Sequence, residues 1–209
     1  VDKSMYIDEL ERQSRTLIFI RPRRFGKSLF LNMMRLYYDK AAAGDFERLF
    51  GGLYIGQHPT PLRNHDQVLS LDFSQIGGNI KQLEEKFNSY LTVCLDGFAH
   101  KYAADYPDYF LDEYFKQSDS NDKLVYITRM AKEFQIPLYL IIDEYDNFTN
   151  VVLNEQGEEV YHAITHADGF YRDLFKKFKG NFERIFLTGV SPVTLDDLTS
   201  GFNIGWNAS

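Results

Sequence analysis

The chain has 209 residues, of which 44% are apolar and 25% charged, and its formal net charge is −7. This composition is typical of a globular protein and excludes a disordered chain, and the length suits one domain with one substantial core. The single cysteine excludes a disulfide within the chain and favours a cytoplasmic location, and no run approaches the ~18 apolar residues of a membrane span.

Strand-like and helix-like segments alternate along the chain. Strands are predicted over residues 16–20, 68–73, 138–143 and 184–188, and helices over 27–40, 80–104, 121–134 and 168–179. This alternation predicts an α/β fold, a three-layer α/β/α sandwich with a mostly parallel sheet. The apolar stripe of the first of these helices is expected to pack in the core, and it consists of Leu29, Phe30, Met33, Met34 and Tyr37.

The first predicted strand runs into a loop that ends Gly26-Lys27-Ser28, and a helix follows at once. This layout is typical of a phosphate-binding P-loop, in which backbone amides point at phosphate oxygens, Lys27 reaches the β- and γ-phosphates, and Ser28 ligates Mg²⁺. The usual spacing G-x-x-x-x-G-K-[ST] places Arg21 at the first glycine. From this motif alone, the alternative interpretation is an ordinary strand-to-helix turn that is capped by Ser28.

Polar residues end two later strands. Asp143 and Glu144 follow an apolar run of the kind that is buried on both faces of a parallel sheet, where ligands lie beyond the carboxyl ends of strands. Asp143 is therefore predicted to hold Mg²⁺ directly or through water, and Glu144 to polarise an attacking water. Thr188 is predicted to sense the γ-phosphate or to position that water. For each residue alone, a helix cap or a turn residue is the alternative.

Together, these motifs and several other segments resemble the bacterial AAA-ATPase-like family over essentially the whole chain. The segments are residues 1–4, 6–7, 21–31, 46–50, 71–74, 142–146 and 187–192. The Arg-Pro-Arg-Arg-Phe-Gly-Lys-Ser form of the P-loop is highly specific for this family, in which the first glycine is commonly replaced. The resemblance implies a P-loop ATPase with an additional strand in its core and a glutamate beside the Mg²⁺-binding aspartate.

The site predicted from these patterns uses ATP and Mg²⁺. The residues predicted to contact ATP are Arg23, Arg24, Phe25, Gly26, Lys27, Ser28 and Leu29. The predicted metal ligands are Ser28 and Asp143, and the predicted catalytic residues are Glu144, Lys27 and Thr188.

The family resemblance also bears on the rest of the protein. Full-length members often carry a C-terminal nuclease-like domain of the PD-(D/E)XK type, but the Pro107-Asp108 pair of this chain lacks the acid-x-Lys spacing. Because the chain lacks an initiator methionine, residues 1–209 are expected to be the N-terminal ATPase domain of a longer protein. The expected partner is either a C-terminal effector domain or a second copy of the chain through self-association. The acidic net charge argues against direct binding of nucleic acid.

Three functions are compatible with the motifs. The first is an ATPase whose nucleotide state switches a larger assembly, and the second is an ATP-binding scaffold with little or no hydrolysis. The third is a GTPase or a small-molecule kinase. A GTPase is disfavoured because the sequence has no Asn/Thr-Lys-x-Asp motif to read guanine. A kinase is disfavoured because it would more often lack the Asp-Glu pair, whose glutamate activates water. His162 and His166, one helical turn apart and followed by Asp168, raise the separate possibility of a metal site, although an exposed helical pair is the favoured interpretation.

Overall fold

A four-stranded parallel sheet organises the chain. In the computed structural model, which describes residues 2–20, 26–76, 80–166 and 169–190, the strands are β1 (Thr16–Ile20), β2 (Gln67–Asp72), β3 (Leu138–Asp143) and β4 (Arg184–Gly189). Their order across the sheet is β1-β4-β3-β2, and every neighbouring pair is parallel. The four predicted strands are confirmed to within one residue at either end.

Helices cover both faces of this sheet. On one face, the described residues form α1 (Met5–Gln13), α2 (Lys27–Tyr38), α3 (Phe46–Phe50) and α4 (Tyr54–Gln57). On the other face they form α5 (Ile80–Tyr102), α6 (Phe110–Phe115), α7 (Ser120–Glu133), α8 (Asn147–Gln156), α9 (Glu158–Thr165) and α10 (Phe170–Asn181). The predicted three-layer α/β/α architecture is confirmed.

Alternate residues of the strands enter two separate apolar cores. The core on the α2 face includes Val68, Tyr139, Ile141 and Phe186 from the strands. The core on the α5 face includes the strand residues that alternate with these along the chain, which are Ile18, Leu69, Leu71, Leu138, Leu140, Ile142, Ile185 and Leu187. Because side chains alternate between the faces of a strand, a strand buried on both sides must be apolar at nearly every position. This explains the apolar runs, which lack alternation.

One of the five residues predicted for the apolar stripe of α2 does not pack in the core. Leu29 is 77% exposed, whereas Leu31 and Met34 are buried against the sheet. Phe30, Met33 and Tyr37 pack in the same core as expected. The physical reason is rotation by about 100° per residue, which places Leu29 about 200° away from the buried Lys27. The prediction that Leu29 is a core residue is therefore wrong.

Several helices had no counterpart among the predicted segments. They are α1, α3, α4, α6, α8 and α9. Three of these, α3, α4 and α6, have only five, four and six residues. A helix so short is marginal without tertiary contacts, so its local sequence carries little signal. Phe50, Ile55 and Phe110 show the compensating contacts, since each is buried in one of the two cores.

Candidate functional site

The carboxyl ends of β1, β4 and β3 bring the predicted polar residues to one edge of the sheet. The register pairs Phe19 with Thr188, and Ile142 with Leu187, so Thr188 and Asp143 lie at corresponding levels of adjacent strands. The additional strand implied by the family resemblance is β4, which lies between the strand that leads into the P-loop and the strand that ends in the acids.

The P-loop half of the site is described from Gly26 onward, whereas Arg23, Arg24 and Phe25 lie outside the described residues. Gly26 immediately precedes α2 and has left-handed backbone angles, with φ of 74°. Its carbonyl accepts a hydrogen bond from the amide of Phe30 at 3.2 Å. A side chain would strain these angles, so the turn requires glycine here.

Lys27 is the most unusual side chain of this half. It is only 7% exposed, and within the described residues its buried Nζ has no hydrogen-bond partner. A buried ammonium without a partner is unfavourable unless a ligand compensates it. It stands at the start of a helix whose first turn contains no acid and whose Gly26 cap supplies no side-chain acceptor. This end of α2 therefore combines free amides, the positive end of the helix dipole and an uncompensated cation.

Ser28 and Leu29 occupy the rest of the first turn and are exposed. In the described part of the chain, no hydrogen bond engages the Ser28 hydroxyl, so it is available to a ligand. Leu29 offers its backbone amide, while its side chain points away from the core.

The acidic half of the site is a compact hydrogen-bonded group. The Thr188 hydroxyl donates to Oδ1 of Asp143, and the amide of Glu144 donates to the same oxygen at 3.0 Å. Thr188 is fully buried, whereas Asp143 and Glu144 are partly exposed. Oδ2 of Asp143 accepts no hydrogen bond from the described residues and is available to a cation.

Glu144 has a strained backbone. Its φ of 49° lies in the left-handed region, which is uncommon for a residue with a side chain. Such conformations cost about 1–3 kcal/mol and cluster at functional sites, where the surrounding structure enforces them. Here the enforcing contacts are the bond from its own amide to Asp143 and the bond from the amide of Tyr145 to the carbonyl of Thr188, at 3.0 Å.

Two supporting residues were missed by the sequence patterns. Asp146 is buried, and its Oδ2 accepts the backbone N–H of Val190 at 2.9 Å, which ties the loop after β3 to the end of β4. Gly189 permits this approach, because a Cβ there would lie 2.4 Å from Cε1 of Tyr145 and 2.7 Å from Oδ1 of Asp146. The only sequence signals were an acid two residues after Glu144 and a glycine after Thr188, and both are common in loops.

The histidine pair is described in part, because Asp168, the third residue of the possible metal site, lies outside the described residues. The Nδ1 atoms of His162 and His166 lie 3.1 Å apart, and Nε2 of His162 lies 3.3 Å from Oε1 of Glu158. Within the described residues, no group of three or more histidine, cysteine or acidic side chains is arranged to hold a metal ion. His162 is exposed on α9, whereas His166 is half-buried and follows the last residue of that helix.

A cavity of about 680 Å³ lies at the opposite edge of the sheet, at the amino ends of β1, β3 and β4. It is lined by Arg15, Lys132 and Glu183, among others, and by none of the predicted site residues. In open parallel sheets ligands bind at the carboxyl edge, so position in the fold favours the edge with Lys27 and Asp143.

None of the helices in the described ranges combines the length and the apolar character that crossing a membrane would require.

Comparison with protein families gives one match, to the AAA-ATPase-like family, described as a predicted AAA-ATPase, over residues 1–199. Comparisons with curated proteins and with solved structures give no match. The matched region contains all four strands and every residue of the candidate site. The chain therefore belongs to the AAA-ATPase-like family.

Proposed function

We propose that this chain binds ATP together with Mg²⁺ and hydrolyses it at the carboxyl edge of β1, β4 and β3. The observation that carries the proposal is the buried Nζ of Lys27 at the start of α2, for which the described part of the chain provides no hydrogen-bond partner. A polyphosphate would supply the compensating negative charge. The family supports ATP-related activity in general terms, whereas hydrolysis and the residue roles are proposals.

In the proposed complex, Lys27 and the amides of residues 26–29 hold the β- and γ-phosphates. Charge that develops on the phosphoryl oxygens during transfer is offset by the Lys27 ammonium and these amides. Arg23, Arg24 and Phe25 are proposed to complete the phosphate loop.

The residues present fit a magnesium ion. Mg²⁺ is usually held by one or two carboxylates together with phosphate oxygens and water, and the Ser28 hydroxyl and Oδ2 of Asp143 are both free of protein hydrogen bonds in the described structure. When bound, the ion would neutralise charge on the β- and γ-phosphates. The Thr188 hydroxyl and the Glu144 amide hold Asp143 by its other oxygen, which orients the carboxylate.

Glu144 is proposed to orient and deprotonate the attacking water. Its side chain follows a backbone turn that Asp143 and Thr188 hold in a left-handed conformation. Thr188 is proposed to position Asp143 and, when nucleotide is bound, to respond to the γ-phosphate.

Several parts of the proposal concern the larger protein. A C-terminal effector domain or a second copy of the chain is proposed to read the nucleotide state. The single cysteine is compatible with a reducing environment, so a cytoplasmic location is also part of the proposal. An ATP-binding scaffold that hydrolyses slowly or not at all is the alternative, and only turnover separates the two.

The proposal is tested with Lys27→Ala, and exposed Lys86→Ala serves as a matched control. Calorimetric titration with Mg-ATP should show binding for the wild type and for Lys86→Ala but none for Lys27→Ala. Because Lys27→Ala removes a buried cation without a partner, the thermal stability of the nucleotide-free protein should not fall. Unchanged ATP affinity in a folded Lys27→Ala protein would contradict the P-loop assignment.

Phosphate release by the wild type then decides between the two functions. Turnover supports the ATPase, whereas tight binding without turnover supports the scaffold. In a competition experiment, unlabelled ATP should displace labelled ATP at a lower concentration than GTP does, because the chain lacks the guanine-reading motif. Preferential displacement by GTP would overturn the assignment to ATP.

A further inference from the structure

We infer that Lys3 is a second phosphate-binding lysine of this site, supplied from the segment before α1. The inference rests on the proposed nucleotide-binding function and adds to it a residue that lies outside the P-loop. The segment precedes β1 in the chain, yet the fold returns it to the start of α2.

The position of the Lys3 ammonium carries the inference. Its Nζ lies 4.0 Å from the point that a Cβ on Gly26 would occupy. Gly26 is the last residue before α2, so the ammonium stands close to the start of this helix. Lys27 begins the same turn, and its buried Nζ has no hydrogen-bond partner among the residues that the structure describes. Two lysines thus flank Gly26.

Neither ammonium is neutralised by the protein. In the parts of the chain that the structure describes, no carboxylate lies within ion-pair distance of Lys3 or Lys27, and the first turn of α2 contains no acid. Several other lysines of the described chain form ion pairs with acids, such as Lys123 with Asp96 at 2.7 Å. Two uncompensated cations at the positive end of a helix favour a polyanion, and their attraction grows with the number of phosphates.

The neighbours of Lys3 explain how an exposed residue is held in place. Oδ2 of Asp2 accepts the amide of Tyr54 at 2.7 Å, and the buried Ser4 hydroxyl accepts the amide of Ile55 at 3.1 Å. Both bonds lie at the start of α4. The Tyr54 amide, together with the hydroxyl and the amide of Ser4, holds the pKa of Asp2 below its usual range.

Asp2 and Ser4 thus anchor the backbone on either side of Lys3. The carboxylate of Asp2 is engaged by these amides, so it is directed to α4 instead of the lysine beside it. The Lys3 side chain itself is exposed, so its ammonium is accessible to a ligand.

The test compares Mg-ATP, Mg-ADP and AMP binding by calorimetry for the wild type, Lys3→Ala, Lys3→Gln and the control Lys86→Ala. Loss of one charge-assisted contact should weaken ATP binding about tenfold or more, because hydrogen bonds to charged groups are stronger than those between neutral groups. The affinity for ADP should fall less than that for ATP, and the affinity for AMP should fall about twofold at most, because fewer phosphates reach the site. The melting temperature without nucleotide should stay the same in both Lys3 variants. The ATP affinity of the wild type should also fall more steeply with added salt than that of Lys3→Ala.

Each outcome separates this inference from the proposed function. Wild-type ATP affinity in Lys3→Ala and Lys3→Gln would refute the role of Lys3 and leave the P-loop intact. An equal loss for ATP and AMP, or a lowered melting temperature, would show that Lys3 supports the base or the local fold, and would likewise overturn the inference. Absence of ATP binding in the wild type would instead refute the proposed function itself.

Discussion

Two residues of the candidate site are held in locally unfavourable states. Lys27 buries an ammonium that has no hydrogen-bond partner in the described ranges, and Glu144 adopts a left-handed backbone conformation. Local costs of this kind persist only where the surrounding structure enforces them, and they concentrate at functional sites. They also belong to the two motifs that the sequence singles out. Each residue thus belongs to a predicted motif and also has an unfavourable local conformation or environment. This agreement supports the proposal that both residues belong to one site.

The neighbouring acids Asp143 and Glu144 should respond differently to loss of charge. Asp143→Asn removes the charge of the proposed metal ligand, so Mg²⁺-dependent ATP binding should weaken. Glu144→Gln should retain binding but lose turnover about 10²- to 10⁴-fold, as expected for a positioned general base. Calorimetry measures the first effect, and phosphate release under saturating ATP measures the second.

Glu85→Gln, at an exposed position of α5, is a suitable control and should behave as the wild type does. Turnover by Glu144→Gln at the wild-type rate would contradict the catalytic role and favour the scaffold. Equal loss of Mg²⁺-dependent binding in Asp143→Asn and Glu144→Gln would show that both acids serve the metal.

At the scale of elements, the ends of β3 and β4 are joined by a close backbone contact. The Tyr145 amide donates to the carbonyl of Thr188 at 3.0 Å, and Asp146 accepts the amide of Val190 at 2.9 Å. The Tyr171 hydroxyl of α10 adds a bond of 2.5 Å to the carbonyl of Tyr145. The acidic half of the site therefore depends on α10 as well as on the two strands.

Gly189→Ala should disrupt this junction. Its Cβ would lie 2.4 Å from Cε1 of Tyr145, closer than packed atoms tolerate, so the loop after β3 must move. We expect a loss of about 1–3 kcal/mol in the free energy of unfolding, typical of overpacking, together with reduced turnover. Urea unfolding measures the first effect and phosphate release the second.

Gly97→Ala provides the matched control within α5. Among the described residues, no atom outside the chain neighbours and the local backbone of α5 lies within 4 Å of a Cβ at Gly97, so this change should stabilise the protein by about 0.5–1 kcal/mol through helix propensity. If Gly189→Ala proved as stable as the wild type, the close contact between the ends of β3 and β4 would not be required.

At the scale of the molecule, charge predicts which partners the domain avoids. With a net charge of −7, it lacks the excess of basic residues that captures nucleic acid through counterion release. We expect no change in the fluorescence anisotropy of a labelled DNA duplex at about 0.15 M salt. Binding that weakens steeply with salt would contradict this and would direct attention to the basic cluster Arg21, Arg23 and Arg24.

Features that depend on neighbouring residues could be predicted before the fold was known. The four strands followed from apolar runs of strand length, and α2 from its position after the Gly26 turn. Lys27, Asp143 and Glu144 were identified because the ends of parallel strands meet at one edge of the sheet, so position in the chain was enough to place them. Helix ends were less certain: α2 stops at Tyr38 because Asp39 leaves helical geometry and its side chain accepts the amide of Ala41.

Other features arise only when residues far apart in the chain meet. The burial of Lys27, the exposure of Leu29 and the contact between Thr188 and Asp143 depend on how α2 and β4 pack against the sheet. The bonds from Asp2 and Ser4 to α4 span about fifty residues, and no local pattern encodes them. Periodicity reports which face of an element is apolar. Only tertiary packing decides which polar groups share that face, and therefore which of them lack a partner until a ligand binds.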